Sequence, residues 1–231
     1  HAGFPAYAEL HCISNYSFLR GASHPAELVA QAAALGYTAL ALTDECSVAG
    51  IVRAHVAARN HAIQLIVGSE LRLADGLHLV LLAADREDYA ALCALITRGR
   101  RAAVKGSYHL LRADLEALGA ACLVLWVPAE DPQLADAIWL QQHFAGRVWL
   151  AVELHAGGDD HHRVRQLTQL AAAAGMPAVA AGDVHMHVRG RRELQDTLAA
   201  IRTGQPLGSG SRILYPNGER HLRSCAALAP A

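Results

Sequence analysis

Ala180-Ala181-Gly182-Asp183-Val184-His185 closes an apolar run that begins at Met176, and it sets an acid and an imidazole two residues apart. If 176–181 is a buried strand, Asp183 and His185 project from one side of its C-terminal end, because strand side chains alternate with period two. A carboxylate and an imidazole so placed are half of a site for a divalent ion. Other strand ends must supply the rest.

Working outward, apolar runs alternate with helical stretches along the whole chain. Residues 7–13 alternate as a short strand with Glu9, His11 and Ile13 on one face. After the turn-rich segment 14–21, Ser23-His24-Pro25 opens a helix that runs to about residue 35 and stops at Gly36. Buried strands are expected at 37–42, ending in Thr43-Asp44-Glu45, and at 64–67, ending in Gly68-Ser69-Glu70. Further strands are expected at 77–82, 121–127 and 148–154, the last ending near Glu153 and His155. The intervening helices fall at 48–60, 85–101, 111–118, 132–144 and 160–175, with one more at 190–203. From there to about residue 223 no periodicity is visible.

This rhythm predicts parallel βα units and hence a parallel sheet or barrel. A parallel barrel gathers the C-terminal strand ends on one face. Glu9/His11, Asp44/Glu45, Glu70, His78, Glu153/His155 and Asp183/His185 would converge there.

At 231 residues and 53% hydrophobic content the chain can bury a full core, as one large domain or two small ones. The 20 basic and 21 acidic residues nearly cancel, which excludes a protein that grips nucleic acid by charge alone. No apolar run approaches the roughly 20 residues of a membrane span and no signal pattern opens the chain, so a cytoplasmic protein without membrane contact is expected. The 5 cysteines are scattered with no CxxC pair, which argues against a disulfide framework and a zinc cluster. The 14 histidines exceed what packing needs.

The ordered segments Leu10-His11-Cys12-Ile13-Ser14-Asn15-Tyr16-Ser17-Phe18-Leu19-Arg20-Gly21, Ala41-Leu42-Thr43-Asp44-Glu45, Val67-Gly68-Ser69-Glu70, His78-Leu79-Val80-Leu81-Leu82-Ala83 and Gly182-Asp183-Val184-His185 resemble the polymerase and histidinol phosphatase (PHP) domain. The likeness is to the N-terminal PHP domain of the bacterial C-family DNA polymerases. Thr43-Asp44-Glu45-Cys46-Ser47 and Tyr215-Pro216-Asn217-Gly218-Glu219-Arg220 are similar to the error-prone, damage-inducible branch. The resemblance implies an α/β fold, a distorted seven-stranded parallel (β/α)7 barrel spanning 7–224. Residues 1–6 would be a ragged terminus or cloning scar, and 225–231 a tail that is disordered or non-native.

Active PHP domains hold two or three metals and hydrolyse phosphoesters; in some C-family polymerases the domain is a 3′–5′ exonuclease, in others it is structural. Carried over residue by residue, the implied ligands are His11, Glu45, Glu70, Asp183 and His185, with His78 weaker. Glu9, Asp44 and His155 would support them. Two expected ligands are replaced, by Ile13, which has no lone pair to give, and by Arg20, whose cation repels a metal. Trp126-Val127-Pro128 also stands where active members supply a histidine. Glu45 is open between ligand and ion-pair partner of Arg20. Zinc or manganese is therefore expected at reduced stoichiometry or not at all.

Two functions follow from the resemblance: a structural and interaction platform with a degenerate metal cavity inside an error-prone translesion polymerase, or a metal-dependent phosphoesterase or exonuclease with a reduced site. A free-standing histidinol-phosphatase-like enzyme would keep the full histidine set. The implied partners are the remainder of the polymerase, DNA through that parent enzyme, and other proteins of a mutagenic complex, the mutasome.

Overall fold

The structure, a computed structural model, describes residues 6–207 and 214–228. Seven strands hydrogen-bond in chain order: β1 (Ala8–Glu9), β2 (Ala39–Leu42), β3 (Gln64–Arg72), β4 (His78–Ala83), β5 (Leu123–Trp126), β6 (Val148–Glu153) and β7 (Ala178–Ala181). The helices are α1 (Pro25–Ala34), α2 (Ile51–His61), α3 (Arg86–Arg101), α4 (Arg112–Glu116), α5 (Leu134–Phe144), α6 (Asp160–Ala174), α7 (Arg192–Thr203) and α8 (Cys225–Leu228).

The sheet is a nearly closed, mostly parallel barrel. Period-two alternation sends Ala41, Val80, Leu82, Leu125, Ala151 and Ala181 inward to a small apolar plug. The opposite faces of the same strands, through Leu79, Leu81, Val124 and Leu150, pack against Leu92, Leu140 and Leu167 of α3, α5 and α6. Beyond the first and last strands, Cys12 and Val184 form an isolated parallel bridge, with Ile13 N–H donating to the Val184 carbonyl at 2.8 Å and Val184 N–H to that of His11 at 2.9 Å.

An all-parallel barrel is expected from the sequence, and one strand departs from it. β4 runs antiparallel to both β3 and β5. The physical reason is the length of the β3–β4 connection: a parallel neighbour needs a crossover of about a dozen residues, whereas Leu73 N–H closes a tight turn on the Leu77 carbonyl at 2.8 Å, with Gly76 at φ +93°. The reversal matters for the site. His78 opens β4 opposite Arg72 at the end of β3, so it reaches the mouth where the parallel strands finish.

Two strand boundaries also differ. β1 pairs with β2 only over Ala8–Glu9, because the His11 N–H is taken by the Glu9 carboxylate at 3.0 Å. β3 continues past residue 67 and carries Glu70 inside the ladder, opposite Val80. Within the unpatterned stretch, residues 214–223 form a strap across the barrel mouth: the Arg220 carbonyl accepts from His185 N–H at 2.9 Å, the Asn217 side chain donates to the His155 carbonyl at 2.5 Å and that of Arg223 to the Leu154 carbonyl at 2.9 Å. Of the expected tail, α8 rests Cys225 and Leu228 against the apolar cluster of α1 and α2. Residues 1–5 and 229–231 lie outside the described residues. Among the described residues no helix is long and apolar enough to cross a membrane.

Candidate metal centre

His11 stands at the middle of the barrel mouth, fully buried. Its Nδ1 lies 2.6 Å from Glu153 Oε1, at the end of β6, and its Nε2 lies 3.3 Å from Glu70 Oε2. Burial alone would depress the imidazole, but Glu153 and Glu70 outweigh it and raise its pKa to about 10. His11 thus bridges two carboxylates through its two ring nitrogens.

Glu70 is saturated. His78 Nε2 donates to its Oε1 at 2.8 Å, and the Arg20 guanidinium grips both oxygens, Nη1 to Oε1 at 2.9 Å and Nη2 to Oε2 at 3.1 Å. Burial works against the Glu70 charge, yet the bonds from His11 and His78 and the charge of Arg20 hold its pKa well below the usual carboxylate range. Arg20 Nη1 also reaches Glu45 Oε2 at 2.6 Å, and Tyr108 donates to the other Glu45 oxygen at 3.1 Å. The Arg20–Glu45 ion pair left open by the sequence is therefore present.

Asp183 pairs with a second cation, Arg220 of the strap, whose guanidinium stacks 3.9 Å from the Tyr215 ring centroid. Asp183 itself has a left-handed backbone, φ +44°, a conformation that aspartate tolerates better than most residues. Strand alternation is consequently not what brings it to His185, since β7 ends at Ala181. The two still meet, His185 Nε2 to Asp183 Oδ1 at 2.8 Å, while Gln195 Nε2 donates to His185 Nδ1 at 2.8 Å. Both nitrogens of His185 are engaged. Burial, reinforced by the Arg20 charge, pulls its pKa down to about 3.

The supporting residues act on backbone. Glu9 accepts from His11 N–H and from Gly182 N–H at 2.8 Å, fixing the two segments that close the barrel. Asp44 accepts from the backbone N–H and hydroxyl of both Ser14 and Ser17 at 2.7–3.1 Å, and so shapes the loop that carries Arg20. His155 donates from Nε2 to the Gly182 carbonyl at 3.2 Å. Ile13 is fully buried beside them and offers no donor.

Two sets of donor atoms lie close enough to hold one ion each: His11, Glu70 and His78, and His11, Glu153 and Asp183, the atoms of each set within 4.8 Å of one another. Their nitrogen and oxygen donors suit zinc or manganese. Their charges do not. Arg20 is bound to Glu70 of the first set and Arg220 to Asp183 of the second, and both sets need the same His11. An ion on either set would have to displace a guanidinium. Glu45 and His185 lie outside both sets.

Sequence reasoning places Glu153 at the mouth without counting it as a ligand, and it misses Arg220 entirely. The acid closing the apolar strand 148–152 is a signal for the first. Arg220 sits in a stretch without periodicity, and only folding brings it to Asp183.

The sequence pattern of the PHP domain family matches residues 9–159. Error-prone DNA polymerases from Dechloromonas aromatica and Pseudomonas aeruginosa are 56% and 59% identical to this chain over 230 and 223 residues, covering 97% and 96% of it. The chain spans 22% of the length of each relative. Among solved structures, a metal-dependent phosphoesterase from Bifidobacterium adolescentis superposes with a TM-score of 0.58 at 19% identity, covering 79% of this chain and 89% of its own. An amidohydrolase from Chromobacterium violaceum gives 0.59 at 18% identity, covering 78% and 88%.

Proposed function

Because the chain belongs to the PHP domain family, we propose that it is the PHP domain of an error-prone DNA polymerase and serves there as a structural and interaction platform, with arginines taking the place of a metal cluster. The high identity to such polymerases along nearly the whole chain supports the assignment, and the 22% share of their length supports a larger polypeptide around it. Polymerisation and translesion synthesis then belong to the remainder of that polypeptide, in the cytoplasm, with DNA and any mutasome proteins engaged through it.

The observation that carries the platform reading is the placement of Arg20. Its guanidinium holds Glu70 bidentately and reaches Glu45, so the loop after β1 is tied to β3 and to the segment after β2. Arg220 does the same between the strap and the end of β7. Glu45, Glu70 and Asp183 each pair with Arg20 or Arg220, and Glu153 with the imidazole of His11. Carboxylates gathered this closely repel one another unless a cation separates them, and the guanidiniums supply that charge while locking the mouth.

The second reading, a metal-dependent phosphoesterase or 3′–5′ exonuclease, is favoured by the two donor sets around His11. Incubating the purified chain with single-stranded DNA separates the two. The platform reading expects no more cleavage with manganese or zinc than with chelator. Metal-dependent cleavage that disappears in Asp183→Asn would establish the second reading instead.

A further inference from the structure

One surface of the molecule, on the outer side of the loop that carries Arg20, is apolar and pre-shaped. The loop after β1 projects Phe18 outward, 81% exposed. The projection is built in: the next residue, Leu19, takes a left-handed backbone with φ +58°, rare for a branched apolar residue. Behind it, Arg20 and Gly21 N–H both close on the Ser17 carbonyl, at 2.9 and 3.1 Å, and Ser17 is anchored on Asp44. Phe18 therefore stands on a rigid loop, as a binding anchor should.

Beside it is a groove of about 330 Å³ whose apolar wall is Phe18, Leu19, Leu194 and Leu198. Leu194, Leu198 and Ile201 follow i, i+4, i+7 spacing along α7, beside the flank that is buried through Gln195 and Ala199. A second groove, of about 420 Å³, adjoins the first across His24 and is walled by Val52 and Val56 of α2, 72% and 58% exposed. Of the described residues lining both grooves, Arg53, His24 and His61 are basic and none is a carboxylate, while the Arg191 guanidinium is already paired with Glu27 on α1. An apolar centre with a polar rim is the anatomy of a protein interface.

The geometry points to a single docking surface, formed by Phe18, α7 and the outer face of α2, that receives an apolar segment from the part of the same polypeptide outside these residues. The occupant follows from length: relatives similar over nearly all of this chain devote 22% of their length to it, which leaves the rest of such a polypeptide to cover this face. This inference rests on the polymerase reading above but concerns side chains outside the carboxylate cluster.

Hydroxyl-radical footprinting of the full-length protein reads the cover of each side chain directly. Tyr89 on α3, 39% exposed and distant in the fold, is the aromatic reference. Left open, Phe18 would oxidise at least as fast as Tyr89. Covered, it is expected to oxidise roughly tenfold more slowly, and Val56→Asp in the same full-length protein is expected to restore its oxidation. Three results overturn the inference: rapid oxidation of Phe18 in the full-length protein, protection that vanishes on dilution and so reports a second copy, or protection that appears only on addition of single-stranded DNA. Metal found in the cavity would count against the platform reading and leave this result unaffected.

Discussion

Replacing Arg20 with alanine is expected to destabilise the chain by about 3–5 kcal/mol, the range seen when one partner of a buried ion pair is removed. The size follows from what is left behind. Glu70 is 1% exposed and would keep only two imidazole contacts against its desolvation, and Glu45 would lose a 2.6 Å partner. For a domain of this length that loss lowers Tm by roughly 10 °C. Adding Glu70→Gln should recover part of it, since the uncompensated charge goes with the carboxylate. The sharper expectation concerns metal: with the guanidinium gone, manganese or zinc should raise the Tm of Arg20→Ala while leaving that of the native chain unchanged, because ligand that binds only the folded state stabilises it. A cost below about 1 kcal/mol, the level of a solvated surface pair, would show that Arg20 does not hold the cavity together.

Gly21→Ala should be as damaging, through the backbone alone. A Cβ at this position would lie 1.9 Å from the Ser14 carbonyl oxygen and 2.2 Å from its carbon. Neither can yield without opening the turn, because Ser14 is pinned by its own bonds to Asp44. The expected loss is more than about 4 kcal/mol, the range reserved for changes the fold cannot absorb. Opening the turn also frees the neighbouring arginine, so trypsin should cut after Arg20 in Gly21→Ala under conditions where the native chain resists. Gly190→Ala is the matched control, since an added Cβ there meets nothing within 4 Å. Equal stability of the two variants would contradict the packing of this loop.

The barrel was largely legible because its strands are short apolar runs ending in polar residues, a pattern that survives without tertiary information. The reversal of β4 was legible in principle: Ala74-Asp75-Gly76 between two apolar runs is a hairpin signal, and too few residues separate them for a crossover. Assigning β3 an early end at residue 67 concealed it. His11, Glu70, His78 and Asp183 do share the mouth, but Asp183 arrives through a left-handed backbone that no period-two argument contains. Glu9 and Asp44 share the polar pattern of ligands, yet their partners are backbone N–H groups and serines, and nothing in a linear sequence separates a carboxylate that holds a loop from one that holds an ion. Arg220 was the least legible of all. It depends on a strap whose course is set by three hydrogen bonds to distant segments.

Metal content reports whether arginines stand in place of a metal in this cavity. The chain purified from cells grown with added zinc and manganese, then analysed by elemental mass spectrometry without chelator treatment, should carry far less than one equivalent of any divalent ion, while Arg20→Ala prepared in parallel should retain more. A stoichiometric ion in the native chain would contradict the account, because it would require the guanidiniums of Arg20 and Arg220 to leave the carboxylates they hold.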